Sequence, residues 1–186
     1  NVISGGSRFN PKEKGKNIPV DMAFAFHTDA GTTLNDSIIG TLGIYTRFSN
    51  ESDLYPNGEN RIVARYLTDM IQSQIVEDIR ATYEPIWQRR GIWDKSYAES
   101  RTPVVPTMLL ELLSHQNLAD MRYGLDPQFR FTVSRAIYKG MLKFLSQKDG
   151  LPYIVQPLPV KEFSATLHSG IALLRWTPVN DTLEPA

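Results

Sequence analysis

Three short apolar runs stand out along the chain. Val20 to Phe26 are almost continuously apolar, with only Asp21 between them, which is typical of a strand buried on both faces of a parallel sheet. SIIGTLGIYT (37–46) is β-branched and punctuated by glycine, which predicts a second strand and fits an edge position. VVPTMLLE (104–111) repeats the first pattern. His27 follows the first run and Glu111 closes the third, so we expect each of these strands to end on one ionisable residue.

Helical periodicity fills the space between the strands. Apolar residues recur at three- and four-residue steps over 62–79, which predicts an amphipathic helix that ends before Pro85. Asn117 is expected to cap a short helix that stops near Gly124. Strands that alternate with helices of this length predict an α/β domain, with a mostly parallel sheet flanked by helices in three layers.

A last helix has the clearest start signal in the chain. Asp126 can cap it and Pro127 fits its first turn. After that helix the prolines cluster in SQKDGLPYIVQPLPV and the periodicity stops, so we place a domain boundary near residue 150. The predicted domains are therefore an α/β domain over 1–149 and a different unit over 150–186.

The C-terminal unit is predicted to be β-structure. KEFSATLHSGIALLRWTPVND indicates two short strands around a Ser-Gly turn, with Trp176 closing the second. The segment resembles the first two strands of a fibronectin type III-like β-sandwich. Such a sandwich needs about seven strands, so we expect residues 150–186 to hold a linker and only the beginning of this module.

Composition narrows the function classes without choosing one. The 186 residues carry 20 Lys and Arg against 20 Asp and Glu, and no basic block marks a nucleic-acid-binding face. No apolar run reaches the roughly 18 to 20 residues of a membrane span. The absence of cysteine excludes disulfides and thiolate metal sites. Residue 1 is Asn rather than Met, so we expect a mature, trimmed or partial chain.

The two ionisable strand ends are the candidates for chemistry. Ligands bind open α/β sheets at the carboxyl ends of their strands, where His27 and Glu111 are both expected. A neutral imidazole is a good zinc ligand, and a carboxylate beside zinc can act as a ligand or as a base. On residue type alone, a hydrogen-bonded structural histidine and a solvated glutamate are the commoner alternatives.

Local sequence favours the catalytic alternative. VDMAFAFHTDAG resembles the segment of zinc-dependent N-acetylmuramoyl-L-alanine amidases in which an apolar run ends in His-x-Asn-Ala. TLGIYT is similar to the family's next strand. RRGIWDKSYAESRTPVVPTMLLELLSHQN is similar to its Arg-Gly segment, its variable stretch and its strand ending in Glu, and RFTVSRAIYKGMLKFL to its closing helix. The resemblance covers roughly residues 18 to 146.

The resemblance implies specific roles. His27 falls on the family's final zinc ligand and Glu111 on its catalytic glutamate. Asp29 stands where the family has Asn, and the resemblance implies that it accepts a hydrogen bond from the second N–H of a ligand imidazole and so orients it. His115, four residues beyond the glutamate, could assist as an auxiliary group or be a structural loop residue. Arg89 and Arg90 could contact anionic groups of a stem peptide, although solvated surface arginines are the commoner alternative.

Two departures from the family pattern affect the metal site. Leu112 and Leu113 replace the usual Gly-Phe after the catalytic glutamate. The family's first zinc histidine and its zinc glutamate precede the matched segment, and residues 1–17 offer only Glu13, in a Lys-rich loop. We therefore expect an amidase-like domain that is N-terminally incomplete, or a relative that has lost the ligands.

The implied function is that of a cell-wall hydrolase. The family uses Zn²⁺ to activate water and cleaves the amide between N-acetylmuramic acid and L-alanine of peptidoglycan. The resemblance thus implies a secreted, periplasmic or envelope-associated bacterial enzyme with peptidoglycan as its partner. The alternative is a catalytically inactive amidase-like module that binds or scaffolds cell-wall or other polysaccharide.

Overall fold

The main sheet is mixed and mostly parallel. The computed structural model describes residues 12, 14–16 and 18–184. The strands are β1 (Ala23–Asp29), β2 (Thr41–Tyr45), β3 (Arg89–Asp94) and β4 (Thr107–Ser114), in the order β1-β4-β2-β3. β1 runs parallel to β4 and β2 runs parallel to β3, whereas β2 and β4 are antiparallel. The α/β fold with a mostly parallel sheet is confirmed.

Helices flank this sheet. They are α1 (Val63–Thr82), α2 (Ala98–Arg101), α3 (Leu118–Gly124) and α4 (Pro127–Asp149). α1 and α4 pack together over the sheet face that carries Met108, Leu110 and Leu112, and these residues belong to the larger hydrophobic core. No helix in the described part of the chain is long and apolar enough to cross a membrane.

The helix boundaries follow the predicted signals. The Asp126 side chain accepts a hydrogen bond from the Gln128 N–H, and Pro127 begins α4. Gly150, at a φ of 65°, ends α4 in the left-handed conformation that glycine adopts without a steric penalty. Asn117 likewise accepts from the Asp120 N–H at the start of α3. The sequence signals for these helices are confirmed.

The strands differ from prediction in extent and position. β1 continues two residues past His27 and β4 three residues past Glu111, so neither residue ends its strand. Leu112 and Leu113 extend the apolar run of β4, and β1 and β4 remain paired as far as Asp29 and Ser114. β2 lies between β4 and β3, so its predicted edge position is wrong. β3 and α2 were not predicted, because Arg89–Asp94 has neither an apolar run nor clear alternation.

A hairpin follows the α/β domain. β5 (Lys161–His168) and β6 (Ile171–Thr177) pair in antiparallel fashion, as the sequence predicted. Every residue of both strands is exposed, including Phe163, Leu167 and Trp176. Residues 151–160 have no regular secondary structure, and the boundary near 150 stays a prediction. Asn1 and Glu13, on which the expectation of missing metal ligands depends, lie outside the described residues.

Candidate active site

His27 and Glu111 lie side by side on the sheet. They are paired positions in the parallel register of β1 and β4, and Glu111 is also paired with Leu42 of the antiparallel β2. Directly paired residues share a face, so all three lie on the face opposite α1. A small cluster of Leu42, Ile44 and Leu109 packs on this face, with Ala25 beside it. The structure thus brings the two principal candidates together on a firm apolar base.

Glu111 is an unsatisfied acid. Its Oε2 is buried and has no hydrogen-bond partner among the described residues. Burial raises the pKa of this carboxyl above its ordinary value, and the negative charge of Asp29 adds to the effect. His27, Arg90 and His115 act in the opposite direction but do not cancel it. A buried carboxylate without a partner is a poor stabilising element and a good candidate for proton transfer.

Asp29 is held by partners other than a histidine. Its Oδ2 accepts a hydrogen bond from Arg90 Nη1 at 2.7 Å, and its Oδ1 accepts one from the Ala30 N–H at 2.7 Å. The bond from Arg90 is the main reason why the pKa of Asp29 is lowered, although burial opposes it. Asp29 is therefore a fixed negative charge beside Glu111. Its implied role in orienting a zinc-bound imidazole stays a prediction.

His115 also reaches the site. It lies in the turn after β4, and its backbone N–H donates to the Asp29 backbone carbonyl oxygen at 2.9 Å. Its ring Nδ1 is 3.1 Å from the Thr28 hydroxyl oxygen. The imidazole is thus positioned by β1, which fits both the auxiliary role and the structural one.

Sequence reasoning missed Glu99. This residue lies on α2, and its Oε1 is 3.8 Å from Nε2 of His27, with both side chains about half exposed. α2 has only four residues, which is too short for a helical period to be visible in the sequence. Arg90 was found in the sequence, but its ion pair with Asp29 depends on strands that come together only in the fold.

The described residues do not make up a complete zinc site. They contain no group of three or more His, Cys, Asp or Glu side chains that could hold a metal ion. His27 and Glu99 bring one imidazole and one carboxylate together. This falls short of the three protein ligands that catalytic zinc sites use.

Comparison with known proteins identifies the fold of this chain. No protein-family model matches the chain, and no curated protein matches it. Solved structures do match. The N-acetylmuramoyl-L-alanine amidase from Clostridium difficile 630 is 18% identical with a TM-score of 0.55, over 76% of this chain and 71% of that one. AmiC2 of Nostoc punctiforme is 17% identical with a TM-score of 0.51, over 67% of this chain and 58% of that one.

A third amidase gives the same result. Ami1 from Mycobacterium smegmatis is 21% identical with a TM-score of 0.51, over 68% of this chain and 54% of that one. The chain thus spans between about half and about seven tenths of the length of these three structures. It has the fold of N-acetylmuramoyl-L-alanine amidases, which is the fold that the sequence resemblance implied.

Proposed function

We propose that this protein is a cell-wall hydrolase that cleaves the amide between N-acetylmuramic acid and the L-alanine of peptidoglycan. The observation that carries the proposal is Glu111, whose buried Oε2 lacks a partner and whose pKa is raised. It is paired with His27 in the register of β1 and β4. The amidase fold of the chain and the local sequence resemblance support the same assignment.

The proposed chemistry uses Glu111 as a proton carrier. Water oxygen adds to the amide carbonyl carbon while the Glu111 carboxylate accepts the proton that the water loses. The protonated carboxyl then donates that proton to the leaving nitrogen as the carbon–nitrogen bond breaks. The products are the lactyl carboxylate of muramic acid and the free amino group of L-alanine. A raised pKa suits this role, because the same group must accept and then donate.

Zinc dependence is a separate hypothesis. We propose His27 as one ligand, with further ligands from outside the described residues, since the described ones hold too few donors. Elemental analysis of the purified full-length protein tests this hypothesis. About one zinc per chain, reduced in His27→Ala but not in His168→Ala on the exposed hairpin, is the expected result. Equal metal content in both variants would remove His27 from the site.

The activity test is the release of L-alanine amino groups from purified peptidoglycan. We expect the full-length protein to release them and Glu111→Gln to lose at least about a hundredfold in rate, as is typical when a general base is removed. Glu77→Gln is the matched control, because Glu77 lies on the exposed side of α1. Equal rates in the two variants would exclude Glu111 as the base. New reducing sugar ends without new amino groups would indicate a glycosidase instead.

A binding module is the second candidate. The incomplete donor set among the described residues favours it, because an amidase frame can hold polysaccharide without cleaving it. Co-sedimentation with insoluble peptidoglycan, combined with the absence of both zinc and amino-group release, would select this candidate. A peptidoglycan substrate or ligand would in either case place the protein outside the cytoplasmic membrane.

We also propose that the hairpin belongs to a fibronectin type III-like module after residue 150. Asp181 and Glu184, which follow the hairpin, nevertheless pair with Arg135 and Lys139 of α4. Its apolar side chains, such as Phe163, Leu173 and Trp176, are exposed by about half or more of their surface. Two strands alone are marginally stable in water, so these faces favour packing against further β-structure. Limited proteolysis of the full-length protein is expected to cut within 151–160. Cutting first inside β5 or β6 would contradict a folded module.

A further inference from the structure

A cavity lies beside α2, and Glu111 is not among its lining residues. It has a volume of about 280 Å³ and is lined by residues 49, 50, 52, 54–56, 61 and 101–104. Its charged lining residues are Arg61 and Arg101, and no Asp or Glu lines it among the described residues. The Arg101 Nη1 donates to the Ser96 carbonyl at 2.8 Å. The other polar side chains of the cavity are hydroxyls and an amide. The cavity is therefore a small positively charged pocket.

Arg61 is the unusual member of this pocket. It is only 4% exposed, yet it forms no ion pair with any carboxylate in the described part of the chain. Of the acidic residues near it in sequence, Glu59 lies 3.5 Å from Lys148 and Asp53 is hydrogen-bonded to Asn60. A buried charge is costly unless a partner compensates it. Arg61 therefore carries a positive charge that the described fold leaves without a counter-ion.

Neutral groups hold the Arg61 side chain in place. Its Nε donates to the Thr46 carbonyl at 3.3 Å, and its Nη2 donates to the Arg101 carbonyl at 3.0 Å. The guanidinium also lies 4.4 Å from the centre of the Tyr55 ring. The hydrogen bonds of this side chain among the described residues come from Nε and Nη2 and not from Nη1. The guanidinium is thus fixed in position with Nη1 left over for a ligand.

We propose that this pocket binds the carboxylate of a small aliphatic group such as an amino acid terminus. Guanidinium groups bind carboxylates in a planar, often bidentate geometry, and Arg101 sits at the same cavity as Arg61. Leu54, Pro56 and Val104 provide apolar walls. The volume lies just below the range of about 300 to 1,000 Å³ for drug-sized ligands, which suits a ligand of about one amino-acid residue.

Residues of α2 belong to both the pocket and the candidate active site. Arg101 and Glu99 are two residues apart on this helix, and Glu99 contacts His27. The Arg101 carbonyl accepts from both Arg61 and the Ser49 hydroxyl, so the pocket also anchors α2. The name of the ligand rests on the proposed function: in a peptidoglycan amidase, the carboxylate would belong to the stem peptide. The carboxylate chemistry itself does not depend on that function.

The first test compares two probes that differ only in charge, N-acetyl-alanine and N-acetyl-alanine amide. We expect the acid to bind the full-length protein at least about tenfold more tightly than the amide, as one lost charge-assisted hydrogen-bond pair requires. Arg101→Gln is expected to remove this preference, and Arg101→Lys to restore part of it. Arg65→Gln is the control, since Arg65 is exposed on α1 one turn beyond Arg61 and does not line the cavity.

Several outcomes would overturn the proposal. The first is that the acid does not bind the wild-type protein, and the second is that the acid and the amide bind equally tightly. The third is that Arg101→Gln and Arg65→Gln reduce the preference for the acid to the same extent. Inorganic phosphate that binds more tightly than the acid would overturn the assignment to a carboxylate. Carboxylate binding without any peptidoglycan cleavage would support the pocket and remove the stem peptide as its ligand, so the two proposals fail separately.

Discussion

Arg90 on β3 reaches Asp29 on β1, with 2.7 Å between its Nη1 and the carboxylate Oδ2, although these strands are the two edges of the sheet. β4 and β2 lie between them, and neighbouring strands are about 4.8 Å apart, so the two backbones are about 14 Å apart in a flat sheet. The pair therefore spans the face that carries Glu111, and both partners influence the pKa of that residue.

Arg90→Met is expected to destabilise the protein at pH 7 by about 1 kcal/mol, because it leaves the part-buried Asp29 charge without its partner. The pKa of Asp29 is lowered in the folded state. The contribution of the Asp29–Arg90 pair to stability is therefore fully present above the ordinary pKa of an aspartate and is lost as the pH falls through the lowered pKa of the folded state. Urea unfolding at pH 7 and near pH 3 measures this change.

Arg89→Met is the control for this prediction. Arg89 pairs with Asp69 on α1, and that pair is more exposed than the pair of Arg90 with Asp29. Its loss is expected to cost about half a kcal/mol or less. A difference between wild type and Arg90→Met that stays the same at both pH values would contradict the linkage to Asp29.

Glu111→Gln is expected to stabilise the metal-free protein at neutral pH by about 1 kcal/mol, since it removes the charge of a half-buried carboxylate whose Oε2 has no partner. The pKa of Glu111 is raised, so the folded state binds this proton more tightly than the unfolded state. The wild type therefore loses stability as the pH rises from the unfolded to the folded value. The advantage of the variant should grow over that interval and then level off.

Thermal unfolding in the presence of a chelator measures this advantage at pH 4 and pH 7. Glu77→Gln, on the exposed side of α1, is expected to change the melting temperature little at either pH. A Glu111→Gln variant that is less stable than wild type at pH 7 would show that the carboxylate has a stabilising partner.

Local signals made much of the fold predictable from sequence. Asp126 with Pro127 marks the start of α4, and the period of three and four residues over 62–79 marks α1. These features depend on a few neighbouring residues, so they can be recognised directly in the sequence. β3 has no such signal, because it is a half-exposed strand with Gly91 and two arginines. Its place is decided by pairing with β2.

The site was predictable in part for the same reason. His27 and Glu111 were found because each follows an apolar strand pattern, and the fold places them in register. The contact of Glu99 with His27 and the reach of Arg90 to Asp29 join residues about 60 to 70 positions apart. Such contacts depend on strand order, which periodicity does not encode. The predicted end of β4 at Glu111 is too early. Leu112 and Leu113 differ from the Gly-Phe of the amidase family, and as apolar residues they continue the strand.

Lys139 presents the clearest case of a buried charge that is paired. Its Nζ lies 2.8 Å from Asp78 and 3.0 Å from Glu184, and its side chain is fully buried between α1 and α4. Lys139→Met is expected to cost about 3 to 5 kcal/mol, because it leaves Asp78 charged and buried. Adding Asp78→Asn should recover much of this loss. Urea unfolding of both variants measures the coupling, and equal loss in the single and double variants would contradict it.

Gly140 allows α1 and α4 to approach closely. A Cβ added there would lie 2.6 Å from the Ile71 Cα, which is backbone and cannot move aside cheaply. Gly140→Ala is therefore expected to cost about 1 to 3 kcal/mol by overpacking, despite the better helix propensity of alanine. Gly91→Ala, where the nearest atom would be 3.9 Å away, is the control and should be close to neutral. Thermal unfolding compares them, and a neutral Gly140→Ala would mean that the helices can separate freely.

Asp120 fixes the loops around the end of β4. Its carboxylate is fully buried and accepts from the N–H groups of Ile39, Gly40 and Ser114, with donor distances of 2.9, 3.3 and 2.8 Å. Asp120→Asn turns one acceptor into a donor that faces an N–H. We therefore expect a loss of about 2 to 4 kcal/mol, which is the scale of one or two charge-assisted hydrogen bonds. The segment after Glu111 should loosen, and hydrogen exchange at Ser114 should accelerate.

Asp126→Asn is the matched control for Asp120. Asp126 caps α4 through one hydrogen bond to the Gln128 N–H, and asparagine caps helices about as well as aspartate. This variant is therefore expected to keep wild-type stability within about 0.5 kcal/mol. If Asp120→Asn were equally mild, the carboxylate would not be what ties β2 and β4 together, and the position of Glu111 would have to depend on strand pairing alone.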